Sequence, residues 1–516
     1  MLLPVLAILV ATATPADLRV PPDSALVRIV AALPGEPLAL EDAIRTGLDG
    51  AVGVRSAKAG LRIARGSLRQ EKGAFDPVLF ADVDRTGNDA PTSPPFSGGT
   101  TTTTSVSAGA RLKLPIGTQL GATLSTVKLQ TDNFFVAAQN PQYSTTGRLT
   151  LRQPLLQGFG PAANAGVSSA SRDLDAARAR VTDAALTVAS NVEATYWDLH
   201  AAELDYAVRT LLVQQGQTLL DQATHKAEAG LVGPGEVATA RTFLAEQQIA
   251  ALAGEEQLDT VSDQLATLLG RRPVEGAGRF RTSTEPPGDF PVEPEDSLVT
   301  RALDRNEELR AAKADLAAAD ARARAAAWDR LPRLDVLGSI GGNGLAGTGR
   351  TIQSPFDSTT TITTLSNGGF SETFDQVTSR DFPTWSVGMS LEVPLGLRPG
   401  RGERERRLGE VESARARVDA VRRSVEEQVR SRRRELEHGA RRLELARTGV
   451  EAALEQARIG QIEYENGRNT AFELVRLSGD VAAAQQRYSE ALVRTAKAAA
   501  ELRRLAPVGA HPGSEE

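Results

Sequence analysis

Residues 177–181 read Ala-Arg-Ala-Arg-Val, and the same five residues return at 414–418, an offset of 237 positions. The register holds outward from there: Val188, Val192, Leu199 and Val213 fall on Val425, Val429, Leu436 and Val450. Nearer the start of the chain the offset is 255, which places Leu48, Asp49, Arg55, Ala57, Lys58, Ala59, Leu61 and Pro77 on Leu303, Asp304, Arg310, Ala312, Lys313, Ala314, Leu316 and Pro332. Long-period self-similarity defines the unit that folds, so it is settled before any element is assigned. The chain is written twice. Residues 37–270 form the first copy and 295–505 the second, with a Pro- and Gly-rich linker over 271–294. The fall in offset from 255 to 237 makes the stretch between Pro77 and Ala177 18 residues longer than its counterpart.

Each copy has one order: a medium helix, a β segment, a very long helix, a turn and another medium helix. The long helix of the second copy is expected from about Gly402 to Asn466. Along it Val411, Ala414, Val418, Val421, Val425, Val429, Leu436, Leu443, Val450 and Leu454 recur at three- and four-residue steps. Such a stripe needs partner helices to cover it. The Arg and Glu residues between, including Arg432-Arg433-Arg434, read as the solvated flank of a coiled coil and not as a nucleic-acid surface. About 65 residues at 1.5 Å rise make a helix about 100 Å long. The medium helices, about 41–74 and 236–269, are each half that, so two of them match one long helix in a cylinder wall.

The β segments, 78–153 and 333–394, alternate. Val106, Ala108, Ala110, Leu112 and Leu114 oppose Ser105, Ser107, Gly109, Arg111 and Lys113; Trp385, Val387, Met389, Leu391 and Val393 oppose Thr384, Ser386, Gly388, Ser390 and Glu392. Strands of this length with one apolar and one polar face fit a membrane barrel with a wet lumen. A soluble sandwich has the same period. Tyr143, Phe382 and Trp385 near the strand ends favour the barrel as interfacial aromatics. The first copy offers four strands, near 78–84, 105–114, 119–129 and 143–152, which with the second copy gives six per chain. A barrel needs about eight strands or more, so one chain cannot close a pore alone.

Composition removes other classes. With 59 basic and 65 acidic residues the net charge is −6, which leaves no positive field for nucleic acid. The absence of cysteine excludes disulfides, thiolate metal sites, thiol nucleophiles and a lipidated N-terminal Cys. His200, His225, His438 and His511 never stand at metal-ligand spacing and read as isolated surface residues. No cofactor and no enzymatic constellation is expected: the glycine-rich run 338–344 lacks the Lys-Ser/Thr ending of a phosphate loop and reads as a flexible loop. Residues 1–16, apolar from Leu2 to Ala11 and then rich in small residues, read as a signal peptide, although the usual preceding positive charge is missing. Residues 506–516 read as a disordered tail.

The two-copy order resembles the TolC family of outer-membrane efflux ducts. Three local features carry the resemblance: Arg152-Gln153-Pro154-Leu155-Leu156-Gln157-Gly158-Phe159-Gly160 at a strand-to-helix junction, Val393-Pro394-Leu395-Gly396 as its second-copy equivalent, and the turn glycines Gly230 and Gly467. The resemblance implies an α+β membrane protein, an oligomeric transmembrane β-barrel continued by a long α-helical coiled-coil tunnel and built from two repeats. It further implies a homotrimer in outer-membrane lipid that docks on a periplasmic adaptor and an inner-membrane pump, a passive conduit for small molecules or polypeptides. The family usually supplies two strands per copy, so the extra hairpin of the first copy raises the trimer's barrel from 12 strands to 18. The competing reading is a periplasmic coiled-coil adaptor or structural protein.

Gly230-Leu231-Val232-Gly233 and Gly467-Arg468-Asn469-Thr470 interrupt the two helical hairpins; by resemblance they are the adaptor-docking tips. Glu236 and Glu473 each lie six residues after their turn glycine, and Tyr464 three residues before the second one. By resemblance these three form the channel gate. A further acidic position of the family, three residues after Glu473, is Arg476 here, which implies a less negative ring.

Overall fold

The computed structural model of the chain describes residues 29–90, 99–132, 137, 139–287, 289–349, 351–353, 361–363 and 368–507. The signal segment 1–16, His511 and the tail beyond 507 lie outside the described residues. The chain forms two compact units: one from the segments up to Arg62, Ala176–Lys313 and Arg417 onward, the other from Ile63–Asp175 and Ala314–Ala416.

In chain order the first copy runs β1 (Glu36–Leu38), α1 (Leu40–Gly50), α2 (Val52–Gly73), β2 (Val78–Ala90), β3 (Gly99–Lys113), β4 (Gln119–Thr131), β5 (Gln139–Pro154), α3 (Ala165–Glu228) and α4 (Pro234–Leu269). After β6 (Phe280–Thr282) the second copy repeats the order. It runs α5 (Glu295–Arg305), α6 (Glu307–Asp329), β7 (Arg333–Gly349), the short ladder β8 (Thr351–Gln353) with β9 (Thr361–Thr363), α7 (Phe370–Ser379), β10 (Phe382–Glu392), α8 (Arg398–Glu465) and α9 (Ala471–Leu505). The expected medium helix at each copy's start is two helices, broken at Ala51 and at Asn306, which are 255 positions apart. Both breaking residues are extended, with ψ of 127° and 123°. The side chain of buried Asn306 accepts from the Leu309 amide and caps the helix that follows. The duplication therefore reaches the backbone conformation of single residues.

The first unit is helical. The apolar stripe of α8 is buried at Val425, Val429, Leu436, Leu443 and Val450, and its first four pack with Val192, Tyr196 and Leu199 of α3, Leu258, Leu265 and Leu269 of α4 and Leu492, Leu502 and Leu505 of α9. Its charged flank is laced by pairs at three- and four-residue spacing, such as Arg432–Glu435 and Arg441–Glu437. The linker does more than connect: β6 pairs in parallel with β1, and the buried Tyr196 hydroxyl fastens both segments. It donates to the Leu38 carbonyl at 2.8 Å and accepts from the amides of Ser283 and Thr284 at 3.1 and 2.9 Å.

The second unit is built on a six-stranded antiparallel sheet in the order β10–β7–β5–β4–β3–β2. Residues 105–129, the extra hairpin, lie within it. Directly paired residues share a face, and the register sorts most side chains, with Val78, Phe80 and Leu337 among the apolar exceptions on the polar face and Arg85, Lys128 and Gln153 among the polar exceptions on the apolar one. Leu79, Ala81, Val83, Val106, Ala108, Ala110, Leu112, Leu120, Ala122, Leu124, Leu149, Leu151, Ile340, Trp385, Val387, Met389 and Leu391 take one face; Asp82, Asp84, Ser105, Ser107, Arg111, Arg148, Arg152, Ser339, Ser386 and Ser390 take the other. From Trp385 to Leu391 the apolar face spans about 20 Å of strand, close to the roughly 25 Å band of a membrane barrel. Tyr143 and Trp385 belong to the apolar face, but Phe382 pairs with Asn343 and falls on the polar one, so it is not an interfacial aromatic. The glycine run 338–344 is not a loop: it lies inside β7, paired to β5 and β10. Arg152 of the junction motif donates Nε and Nη2 to the buried Asp335 carboxylate at 3.0 and 2.6 Å, tying β5 to β7 where they leave the sheet.

His200 also departs from the surface reading. It is partly buried, its Nδ1 lies 3.0 Å from the Thr282 hydroxyl, and burial pushes its pKa down to about 4. Glu203, one turn later, accepts from the amide and hydroxyl of the same Thr282. Burial pushes its carboxyl up to about 7 against those hydrogen bonds and Arg281. The two groups act oppositely on stability. As pH falls from 6.5 toward 4, the unfolded chain binds a proton that folded His200 refuses, so stability drops; as pH rises from 4.5 toward 7, the unfolded chain releases a proton that folded Glu203 keeps, and stability again drops. Glu203→Gln should therefore leave a stability that climbs between pH 4 and 6.5, and His200→Asn one that declines between pH 4.5 and 7. Each slope is at most about 1.4 kcal/mol per pH unit, read from denaturant midpoints at four pH values.

Candidate functional site

The turns that close the two helical hairpins are built alike from their backbone upward. In α3–α4, Gly230 has φ of 72°, its amide donates to the Ala227 carbonyl at 3.0 Å, and the Leu231 amide donates to Lys226 at 2.9 Å. In α8–α9, Gly467 has φ of 70°, its amide donates to Tyr464 at 3.1 Å, and the Arg468 amide donates to Glu463 at 2.8 Å. Both are Schellman caps, in which a left-handed residue satisfies the last carbonyls of a helix. Glycine takes that conformation without the Cβ penalty. The returning helices start differently. Pro234 occupies the first turn of α4, whereas Thr470 caps α9 by accepting from the Glu473 amide.

The two hairpins meet at Tyr464. Its ring is 2% exposed, among Leu219 and Ala223 of α3, Ala240 and Phe243 of α4 and Leu474 of α9. Lys226 bridges from α3: its ammonium lies 3.7 Å from the ring centroid and donates to the Tyr464 carbonyl at 3.4 Å. The Tyr464 hydroxyl and Oε2 of Glu236 are both buried and without hydrogen-bond partners among the described residues. Burial, and then the Glu236 carboxylate, raise the hydroxyl's pKa.

Glu473 is in a different state. Arg476 donates Nε to its Oε2 at 3.1 Å and pairs again through Nη2, which holds the Glu473 carboxyl below the usual range; Nη1 of the same guanidinium reaches Asp480 at 3.1 Å. Glu236 and Tyr464 thus come together, while Glu473 is neutralised on its own helix. Leu231 and Phe472 stand 75% and 67% exposed beside the turns, and Ala227, Val232, Pro234, Val237, Ala238 and Arg241 line a concavity of about 370 Å³. Asn469 donates to Glu463, and Arg468 is exposed. Lys226 and Phe472 escaped the sequence reading: Lys226 meets a partner 238 residues away, and Phe472 lies just past the turn motif. Among the described residues no group of His, Asp and Glu could hold a metal ion, and no helix is long and apolar enough to cross a membrane.

Residues 117–271 and 298–506 match the profile of the outer membrane efflux protein family. The chain belongs to that family. Its members are channel proteins, and this chain is an outer-membrane export duct that extends into the periplasm. The fold agrees with solved channels. The outer-membrane channel OprN is 18% identical, with 91% of this chain and 90% of OprN covered at a TM-score of 0.64. The CmeC outer membrane channel of Campylobacter jejuni is 12% identical, with 90% and 85% covered at 0.64. The outer membrane protein VceC of Vibrio cholerae is 16% identical, with 90% and 96% covered at 0.61. No curated protein matches the chain. The family match begins in the first copy only at residue 117, after β2 and β3, in the copy that carries the extra hairpin.

Proposed function

We propose that three copies of this chain close one barrel of 18 strands, each β10 pairing with β2 of the next copy. The observation that supports this is the sheet itself: six strands with one apolar and one polar face, ending in two edges whose residues are exposed along most of their length. Unpaired edge groups at bilayer depth cost several kcal/mol each, and a third copy ends the series by returning to the first edge. The lumen is wider than that of a 12-stranded duct, since barrel diameter grows with strand number.

The helical hairpins carry the traffic between compartments. Gly230-Leu231-Val232-Gly233 and Gly467-Arg468-Asn469-Thr470 dock a periplasmic adaptor that links the duct to an inner-membrane pump; exposed Leu231 and Phe472 and the shallow concavity beside Val232 suit an apolar contact. Glu236, Tyr464 and Glu473 form the gate, with unequal shares. Among the described residues Glu236 has no basic partner, while Arg476 cancels Glu473, so the cation preference of the mouth rests on Glu236. The cargo is a small molecule or a polypeptide, carried without chemistry on it.

Cryo-electron microscopy of the protein in nanodiscs should show a three-fold barrel of 18 strands with residues 105–129 in the wall. A 12-stranded wall with that hairpin peeled away would overturn the closure. In planar bilayers Glu236→Gln should lower cation selectivity more than Glu473→Gln, and Tyr464→Phe should raise conductance by removing a hydroxyl that is unpartnered among the described residues of one chain and is left to bond a neighbouring copy in the closed trimer; parental behaviour in all three would place the gate elsewhere. Gly230→Trp with Gly467→Trp should abolish export while trimers still insert, since bulk at the tips blocks the adaptor. Unchanged export would remove the docking role.

A further inference from the structure

Helix α7 lies on the sheet, and three glycines make room for it. A Cβ at Gly344 would sit 2.2 Å from the Thr373 carbonyl oxygen, one at Gly342 2.9 Å from that of Val377, and one at Gly147 2.6 Å from Cγ1 of Val377. No side chain fits between. Thr373 is fully buried, with its hydroxyl 2.6 Å from that of Thr145, and Oε1 of Gln376 accepts from the Leu345 amide at 2.8 Å. Register decides which face is covered. Gly344 pairs with Thr145 and Gly342 with Gly147, and the next pair on that face is Ile340 with Leu149, the start of the apolar belt. The helix therefore rests on the lipid-facing side of the sheet, at the belt's upper border.

Its own side chains are sorted to match. The helix descends along β7, with Gly368 beside Ala346 and Gly347, Thr373 over Gly344 and Val377 over Gly342, so its C-terminal end stands nearest the belt. Gln376 is engaged with the Leu345 amide, and Phe374 lies about 200° around the helix from it, one turn after Phe370. The two rings stack loosely at 6.2 Å and remain 39% and 49% exposed. Ser371, Asp375 and Ser379, on the side away from the sheet, are polar and exposed. Two exposed phenylalanines just above a lipid-facing belt, on a helix whose outer side is polar, match a helix at a membrane interface.

We infer that α7 is an interfacial helix on the outer wall of the barrel, which inserts Phe370 and Phe374 among the acyl chains of the outer leaflet and fixes the depth of the duct in the membrane. The inference rests on the barrel reading above. The cysteine-free chain allows nitroxide labels at single positions: Phe370→Cys, Phe374→Cys and Ser371→Cys, with Val387→Cys on the belt as reference. Collision with oxygen and with nickel-EDDA is measured in proteoliposomes. Labels at 370 and 374 should favour oxygen as at 387, and the label at 371 should favour nickel-EDDA. Labels at 370 and 374 that behave like 371, with 387 in lipid, overturn the inference and leave the barrel standing. A water-exposed label at 387 overturns both. Adding Gly344→Leu should move the 374 label into water with 387 unchanged; a 374 label still in lipid would remove the glycine cradle from the proposal.

Discussion

Hydrocarbon offers no partner to a backbone amide or carbonyl, so a strand at bilayer depth has to bond on both of its sides. Four strands of the sheet meet that condition within the chain; β10 and β2 meet it on one side only. Oligomerisation is therefore part of the fold and not an addition to it. The same condition explains the sorting of faces. A sheet that closes on itself has an inside and an outside, and with a side-chain period of two each residue belongs permanently to one of them. The polar face can keep Asp82, Arg111 and Arg148 because water fills what they surround, while the middle of the apolar face carries mainly aliphatic residues and its border carries Trp385, Tyr143 and Lys128.

The helical unit obeys a different constraint, the phase of long helices. Adding one residue to α3 or α8 would turn everything after it by about 100° and take the buried stripe away from its partners. That is why the two copies keep a constant offset of 237 through these helices, and why Ala51 and Asn306 break their helices at matching positions. It also explains the matched Schellman turns. A hairpin of two helices tens of residues long tolerates no drift at its closure, and a left-handed glycine with two defined hydrogen bonds fixes the return direction.

Much of this was legible in the sequence, because period and length are properties of the chain itself. Stripes of Val and Leu over more than 40 residues, such as Val411 to Leu454, have no other solution than long helices, and strict alternation over ten residues leaves only a two-faced strand. What stayed hidden depends on partners far away. The glycine run 338–344 reads as a loop until a helix is seen pressed on it; α7 is ten residues long, too short for its pattern to register; β6 is three residues inside a Pro- and Gly-rich linker. Phe382 was readable: it stands two residues before Thr384, in phase with the polar set, and only its ring and its place at the strand end suggested an interfacial role. The resemblance that brought Glu236, Glu473 and Tyr464 forward treated the two acids alike, and only the placement of Arg476 separates Glu473, which has a local counter-charge, from Glu236, which has none among the described residues.

The copies have diverged where divergence costs least. An insertion at the far end of a strand pair changes no helix phase and no register, so the loops of the sheet can accept new elements that the helical walls cannot. The first copy spends that freedom on β3 and β4, which enlarge the wall; the second spends it on α7, which thickens the wall from outside. The two additions suit each other. A longer perimeter gives a sheet with less curvature per strand, and a flatter wall is easier for a straight helix to lie against at the closeness that Gly342, Gly344 and Gly147 require.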